Sequence, residues 1–475
     1  MAEILNPDIC VIGAGSGGLT VAAAAASFGV SVVLIEKGKM GGDCLNYGCV
    51  PSKALLAAGK QAQALRGGAK FGIAVVEPQV NFKAVMAHVR QVIASIAPND
   101  SVERFTALGV RVIQAEGKFK DKRTVVAGDI TIKARRFVIA TGSSAFIPPI
   151  PGLDQVEYLT NETIFEEDKL PGHLVIIGGG PIGMEMAQAH RRLGAEVTVV
   201  EALAALGKDD PETAAVVLVA LRAEGVKILD STKVISVEKR GKTGVRVHVE
   251  GPDGTAAIDG TKLLVAAGRS ANVNGLDLEK AGIAYDRRGI KVGSNLKSSN
   301  RRVYAVGDVA GSLQFTHMAG YHAGLVVRSI LFRLPVRENK AIIPWATFTE
   351  PELAQVGMSE AEAKKSGEPF HVLRWPFAEN DRAEAEHKTA GLIKIITNGK
   401  GRILGVSIGG HGAGEMINMW ALALSKGMSV RDIAGYIAPY PTMAEAGKRA
   451  AITYFAPYAR SPRLRKLIGF LRIFG

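Results

Sequence analysis

The chain has 475 residues, of which 47% are hydrophobic and 22% charged, so it is too long for one core and two to four globular domains are expected. Its formal net charge of +13 is dispersed and accompanies no nucleic-acid motif, which argues against nucleic acid as partner and leaves anionic cofactors and a basic tail to explain it. The N-terminus has no basic n-region, no apolar run is long enough to span a bilayer, and three cysteines do not build a secreted disulfide scaffold, so a cytoplasmic protein is expected.

In chain order, an apolar strand over 9–13 leads into Gly13-x-Gly15-x-x-Gly18, an Ala-rich helix, and a second strand over 32–36 that ends on Glu36. Glycines at this spacing let a backbone approach a pyrophosphate at a helix N-terminus, and the acid accepts hydrogen bonds from ribose. Next comes Gly41-Gly42-Asp43-Cys44-Leu45-Asn46-Tyr47-Gly48-Cys49-Val50-Pro51-Ser52-Lys53. Four residues including a glycine allow the chain to turn back and bring the two sulfurs within bonding distance. Pro51 suits the first turn of a helix, so Cys49 falls at a helix N-terminus, where the dipole favours a thiolate. A redox-active disulfide is the reading this supports. Half a zinc site and two unrelated buried thiols are the alternatives, although zinc needs four ligands and the third cysteine, Cys10, lies in the first buried strand.

A strand over 137–142 closes the first unit on Thr141 and Gly142. The same device then recurs: a strand over 174–178, Gly178-x-Gly180-x-x-Gly183, a helix over 184–193, a strand over 197–201 ending on Glu201, and a closing strand with Gly268 and Arg269. In each copy the acid follows the first glycine by the same interval, which reads as two dinucleotide sites. Tight packing of two ligand-free βαβ units is the plain alternative. A further strand over 303–308 contains Gly307 and Asp308.

Taken together, the cysteine motif and the doubled glycine loops resemble those of the pyridine nucleotide-disulfide oxidoreductases, the family of dihydrolipoamide dehydrogenase, glutathione reductase and mercuric reductase. The resemblance covers almost the whole chain. It implies an α/β fold with two Rossmann-like dinucleotide-binding domains and an α+β C-terminal dimerisation domain. FAD would occupy residues 1–151 with 272–340, and NAD(P)H residues 152–271. Residues 341–475 would form a homodimer interface ending in a basic amphipathic tail. Cys49 would be the flavin-facing sulfur and Cys44 the interchange sulfur. Lys53 and Glu185 would form an ion pair at the reactive face of the flavin. Asp308 would bind the ribityl chain, and His317, at a helix start, would line the flavin's pyrimidine edge as a local structural residue. Glu201, with no arginine immediately after it, favours NADH over NADPH, because a carboxylate repels a 2′-phosphate. No residue set suggests a metal site.

The chain departs from the family's disulfide reducers in two places. Where they carry His-Pro-Thr-x-x-Glu, supplied across the dimer with the Glu orienting a His that shuttles protons to the interchange thiol, it reads Tyr440-Pro441-Thr442-Met443-Ala444-Glu445. A tyrosine with a pKa near about 10 is protonated at neutral pH and is a poor base, which predicts slow turnover of lipoamide or glutathione. Tyrosine there resembles mercuric reductase, whose acceptor is a thiol-bound metal ion, but the vicinal C-terminal cysteines of that enzyme are missing. Asp43 replaces the usual threonine and should raise the pKa of its neighbour Cys44. The acceptor readings are therefore a metal-thiolate, a lipoamide-type disulfide, or a quinone or protein reached at a membrane surface. The last follows from residues 460–475, where Leu464, Leu467, Ile468 and Leu471 form a helical stripe flanked by Arg463, Arg465, Lys466 and Arg472. Such a stripe suits either packing on the subunit or its partner, or peripheral contact with the inner face of a membrane.

Overall fold

The structure is a computed structural model that describes residues 3–474. Its first sheet is fully parallel, in the order Val303–Ala305, Arg136–Ile139, Ile9–Ile12, Val32–Glu36, Val110–Gln114. Successive side chains of a strand point to opposite faces, and the two central strands follow this rule. Ile9, Val11 and Leu34 pack with Val21, Ala22 and Ala25 of helix Ser16–Ser27, while Cys10, Ile12, Val33 and Ile35 pack with Phe119 and Val125 on the other face. Full burial of each such aliphatic side chain contributes about 1.5–3 kcal/mol, so both faces of this sheet anchor the fold.

A second parallel sheet runs Lys227–Leu229, Glu196–Val200, His173–Ile177, Lys262–Val265. The repeat extends beyond its glycines. In each unit an antiparallel meander precedes the closing strand: Gly117–Asp121, Thr124–Ala127 and Ile130–Ile132 in the first, and Lys233–Arg240, Gly244–Gly251 and Gly254–Gly260 in the second. The chain passes from the first sheet to the second through Ser143–Ala145 and returns through Arg269–Ala271, and these two segments pair antiparallel. A third sheet, antiparallel throughout, is ordered Pro344–Thr347, Glu352–Gly357, Ile403–Gly410, Leu392–Asn398, Phe370–Pro376, with helix Ala413–Lys426 packed against it through Ile417, Trp420 and Ala423.

The tail is helical over Pro462–Leu471, as its period requires, but every residue of that helix is exposed. The expectation that its apolar stripe packs on its own subunit is therefore not met. Among the described residues, no helix is long and apolar enough to cross a membrane.

Candidate active site

The two glycine loops have the same construction. A Cβ added at Gly13 or Gly178 would stand 2.4 Å from the carbonyl oxygen of Ala140 or Ala266, and one at Gly18 or Gly183 would stand 1.9 or 2.0 Å from the carbonyl of Gly13 or Gly178. These glycines let helix, loop and closing strand touch backbone to backbone. At the middle glycines the space is open: nothing lies within 4 Å of a Cβ at Gly180, and only Gly42 Cα, at 3.9 Å, near one at Gly15. Helices Ser16–Ser27 and Pro181–Arg192 have neither a side-chain N-cap nor an acid in the first turn. Their amide N–H groups are thus available to an anion. The acids are also held alike. Glu36 accepts from the amides of Ala14 (2.6 Å) and Gly38 (2.7 Å), and Glu201 from those of Gly179 (2.7 Å) and Leu203 (2.9 Å). Each carboxylate is thereby fixed at the rim of its loop, and the cradles fit two dinucleotides. Thr141 and Gly142 lie at the end of the first closing strand, where the Thr141 hydroxyl donates to the Asn272 carbonyl at 2.7 Å and the Asn272 amide N–H to that of Gly142 at 2.9 Å. Gly268 holds a φ of 125° just before the return strand.

Cys49 is the first residue of helix Cys49–Arg66, and Cys44 lies in the short helix Gly42–Asn46 just before it. Both are free thiols, within hydrogen-bonding reach of each other. Their environments separate them. The hydrogen bond from Cys44, aided by the Thr316 hydroxyl at 3.3 Å and the charge of Lys53, brings the Cys49 thiol down to about 6 against the opposing effects of burial and Glu185. Cys44 moves the other way, raised by that same hydrogen bond, by burial and by the negative charges of Cys49 and Asp43. Beside them Lys53 Nζ meets the buried carboxylate of Glu185 at 2.5 Å, and the other Glu185 oxygen accepts from the Phe348 amide at 2.9 Å. Lys53 also stands 4.6 Å above the Phe348 ring.

Asp43 links the cysteine loop to the strands that join the two parallel sheets. Its carboxylate meets Arg269 at 3.2 Å and accepts from Asn161 at 3.0 Å. Arg269 in turn donates to the Ser143 hydroxyl and carbonyl, both at 2.7 Å, and the Ser143 hydroxyl donates to Asp308 at 2.5 Å. Burial raises the Asp308 carboxyl, with Asp43 adding to the effect. His317, one residue into helix Thr316–Leu331, donates to the Pro344 carbonyl at 2.6 Å, and desolvation lowers its pKa. That geometry makes it a strut between two elements.

Tyr440 and Glu445 stand apart from this centre: within the chain, among the described residues, neither hydrogen-bonds a cysteine. The Tyr440 hydroxyl donates to Asp381 at 2.6 Å, a contact that raises its pKa further, and Glu445 pairs with Arg449 at 3.0 Å. The sequence reading singled out neither Asn161, Ser143, Phe348 nor Asp381. Asn161 and Ser143 lie in no motif and reach the site only through tertiary contact, as Asp381 reaches Tyr440. Among the described residues, no cluster of His, Cys, Asp and Glu is arranged to hold a metal ion.

Comparison with known proteins agrees with this construction. The profile of the pyridine nucleotide-disulphide oxidoreductases matches residues 7–323, and that of their dimerisation domain residues 343–451. The chain is 35% identical to a mercuric reductase of Streptomyces lividans over 462 residues, covering 95% of this chain and 97% of that protein. It is also 35% identical to a dihydrolipoyl dehydrogenase of Thermus scotoductus, covering 94% and 96%. Among solved structures, the HOCl-induced flavoprotein disulfide reductase RclA from Escherichia coli superposes with a TM-score of 0.83 at 29% identity, covering 94% and 99%. LpdA from Mycobacterium tuberculosis gives a TM-score of 0.86 at 25% identity, covering 95% and 99%. The chain therefore belongs to the pyridine nucleotide-disulphide oxidoreductase family, as an FAD-dependent NAD(P)H oxidoreductase of the disulfide type with a C-terminal dimerisation domain.

Proposed function

We propose that the protein is a homodimer that takes reducing equivalents from NADH and delivers them to a thiol-bound metal ion. The division is that read from the sequence: residues 1–151 and 272–340 for FAD, 152–271 for NADH, and 341–475 for the partner subunit. FAD bound in the first cradle supplies two-electron transfer between nicotinamide and sulfur. Gly13, Gly15 and Gly18 with the following helix hold its pyrophosphate, Glu36 its adenosine ribose, and Asp308 its ribityl chain, while Thr141, Gly142 and the helix start at His317 complete the wall. Gly178, Gly180, Gly183 and Glu201 hold NADH in the same manner, with Gly268 and Arg269 at the return strand. The Lys53–Glu185 ion pair would stand, held by its own contact, at the reactive face of the flavin.

Cys49 carries the stable thiolate and Cys44 the proton. For each turnover two electrons enter from NADH and two leave to the acceptor as Cys44 and Cys49 close to a disulfide, with the Cys44 proton released to solvent. The observation that carries the choice of acceptor is Tyr440. Its hydroxyl is bound to Asp381 and its pKa is raised, so it offers no base to a thiol substrate, whereas a metal-thiolate needs none. The names of the mercuric reductases among the relatives support this reading. Retention of Glu445 and the likeness to dihydrolipoyl dehydrogenases favour a second one, a lipoamide oxidoreductase with an altered proton relay.

NADH oxidation by the holoenzyme should be compared with mercuric ion in excess thiol, lipoamide, and a quinone as acceptors. Turnover fastest with the metal-thiolate is the expected result. Fast lipoamide turnover by the native enzyme would replace the first reading with the second, and turnover fastest with the quinone would overturn both.

A further inference from the structure

The helix Pro462–Leu471 lies beyond the last residue that the dimerisation profile matches, residue 451. Leu464, Leu467, Ile468 and Leu471 share one face, and they are 37%, 50%, 49% and 55% exposed. Phe470, Ile473 and Phe474 extend that apolar surface, with Phe470 and Phe474 in edge contact at 5.1 Å. An uncovered surface of this composition is costly in water, and single scattered apolar residues would not form it. The charges around it all have one sign. From residue 446 to 474 the chain has no acid, and Arg460, Arg463, Arg465, Lys466 and Arg472 form no ion pair among the described residues. A second copy of this tail would bring like charges together around the apolar stripe.

We propose that this helix is a membrane-surface anchor that lays its leucine and phenylalanine face into the interface of an anionic bilayer while its basic flanks meet the lipid phosphates. A short amphipathic helix with basic flanks and Phe and Leu on the other face has the composition that such binding requires. Attraction adds with each basic residue near the surface and weakens with salt. Nothing in this depends on which acceptor the enzyme uses.

The test compares the full-length holoenzyme with a chain truncated after Ala459, each sedimented with vesicles of phosphatidylglycerol and phosphatidylcholine and with vesicles of phosphatidylcholine alone. The full chain should bind the anionic vesicles at least about tenfold more strongly than the neutral ones, and high salt should release it. The truncated chain should stay in the supernatant, keep its flavin and remain dimeric. A second variant, Leu467→Glu with Ile468→Glu, changes only exposed positions and should lose vesicle binding with the rest of the molecule intact. Equal sedimentation of full and truncated chains, or no sedimentation of the full chain, overturns the proposal. So does dissociation of either variant to monomers, which would assign the stripe to the subunit interface.

Discussion

Cys44 and Cys49 are chemically identical side chains five positions apart, and the hydrogen bond between them is the largest of several causes of their opposite acidities. Because that bond is the largest influence on Cys49, Cys44→Ala should move the Cys49 midpoint up from about 6, whereas Cys44→Ser, which keeps an O–H donor, should hold it near the native value. The pH dependence of alkylation of the reduced protein by iodoacetamide measures this, with the Cys49 thiolate present above the midpoint and lost below it. Equal midpoints in the two variants would mean that Thr316 and Lys53 set the acidity instead. Asp43 acts on the other sulfur. Its carboxylate is one cause of the raised Cys44 pKa, so Asp43→Thr should let Cys44 react at lower pH and exchange with small disulfides about threefold to tenfold faster. An unchanged pH profile would show that Arg269 already neutralises the charge. At residue 440 the reasoning inverts. Tyr440→His supplies the base, with Glu445 already present to orient it, and lipoamide reduction should rise; no gain would remove Tyr440 as the determinant of acceptor choice.

At the scale of elements, the strand–loop–helix unit is built twice with the same close contacts, and this was the part of the fold most legible in the sequence. Glycine spacing and the acid at the end of the second strand are local signals, because the backbone approach at Gly18 and Gly183 leaves no room for a Cβ. Gly18→Ala and Gly183→Ala should therefore each push the helix off its loop. The first should reduce flavin retention and the second NADH binding, while the other cofactor is left in place. The amides holding Glu201 fix its carboxylate for a ribose diol, so NADH should exceed NADPH in kcat/KM by about tenfold or more, equivalent to about 1.4 kcal/mol. Glu201→Ala should narrow that ratio, and equal use of both cofactors by the native enzyme would show that the acid does not select. What could not be read from the sequence was the lateral wiring. Asn161 and Arg269 reach Asp43 from over a hundred residues away, and no periodicity encodes such a pairing. The tail's helix was legible from its stripe, but its exposure was not, since a period tells which residues share a face and not what covers them.

At the scale of the whole molecule, the second parallel sheet is fastened to the C-terminal sheet by two charge networks. Lys394, only 2% exposed, bonds Asp210 at 2.8 Å and both Glu212 and Glu360 at 2.7 Å. Against the desolvation that burial imposes, these carboxylates raise its pKa. Arg192 spans Glu224 at 2.7 Å and Glu350 at 2.9 Å, with Lys388 on Glu350 at 2.7 Å. The carboxylates answer in kind: Glu212 is held at about 2, chiefly by Arg374, Glu360 at about 2 by Lys364 and Lys394, and Glu350 at about 2 by Lys388 and Arg192 in spite of its burial. Each folded-state value lies below the ordinary 4.5, so the unfolded chain binds these protons first. The stability they contribute is complete above about pH 4.5 and is lost as pH falls through about 2. Thermal unfolding followed from neutral pH downward should show Tm falling steeply within that window. Lys394→Met leaves the Asp210 carboxylate buried without its partner and should cost about 3–5 kcal/mol at neutral pH, while flattening the acid limb because Glu212 and Glu360 lose a reason to stay ionised. An exposed control, Lys239→Met, should change neither. If Lys394→Met keeps the native Tm and the native acid slope, the sheets are held by apolar packing alone and the buried lysine does not fasten them.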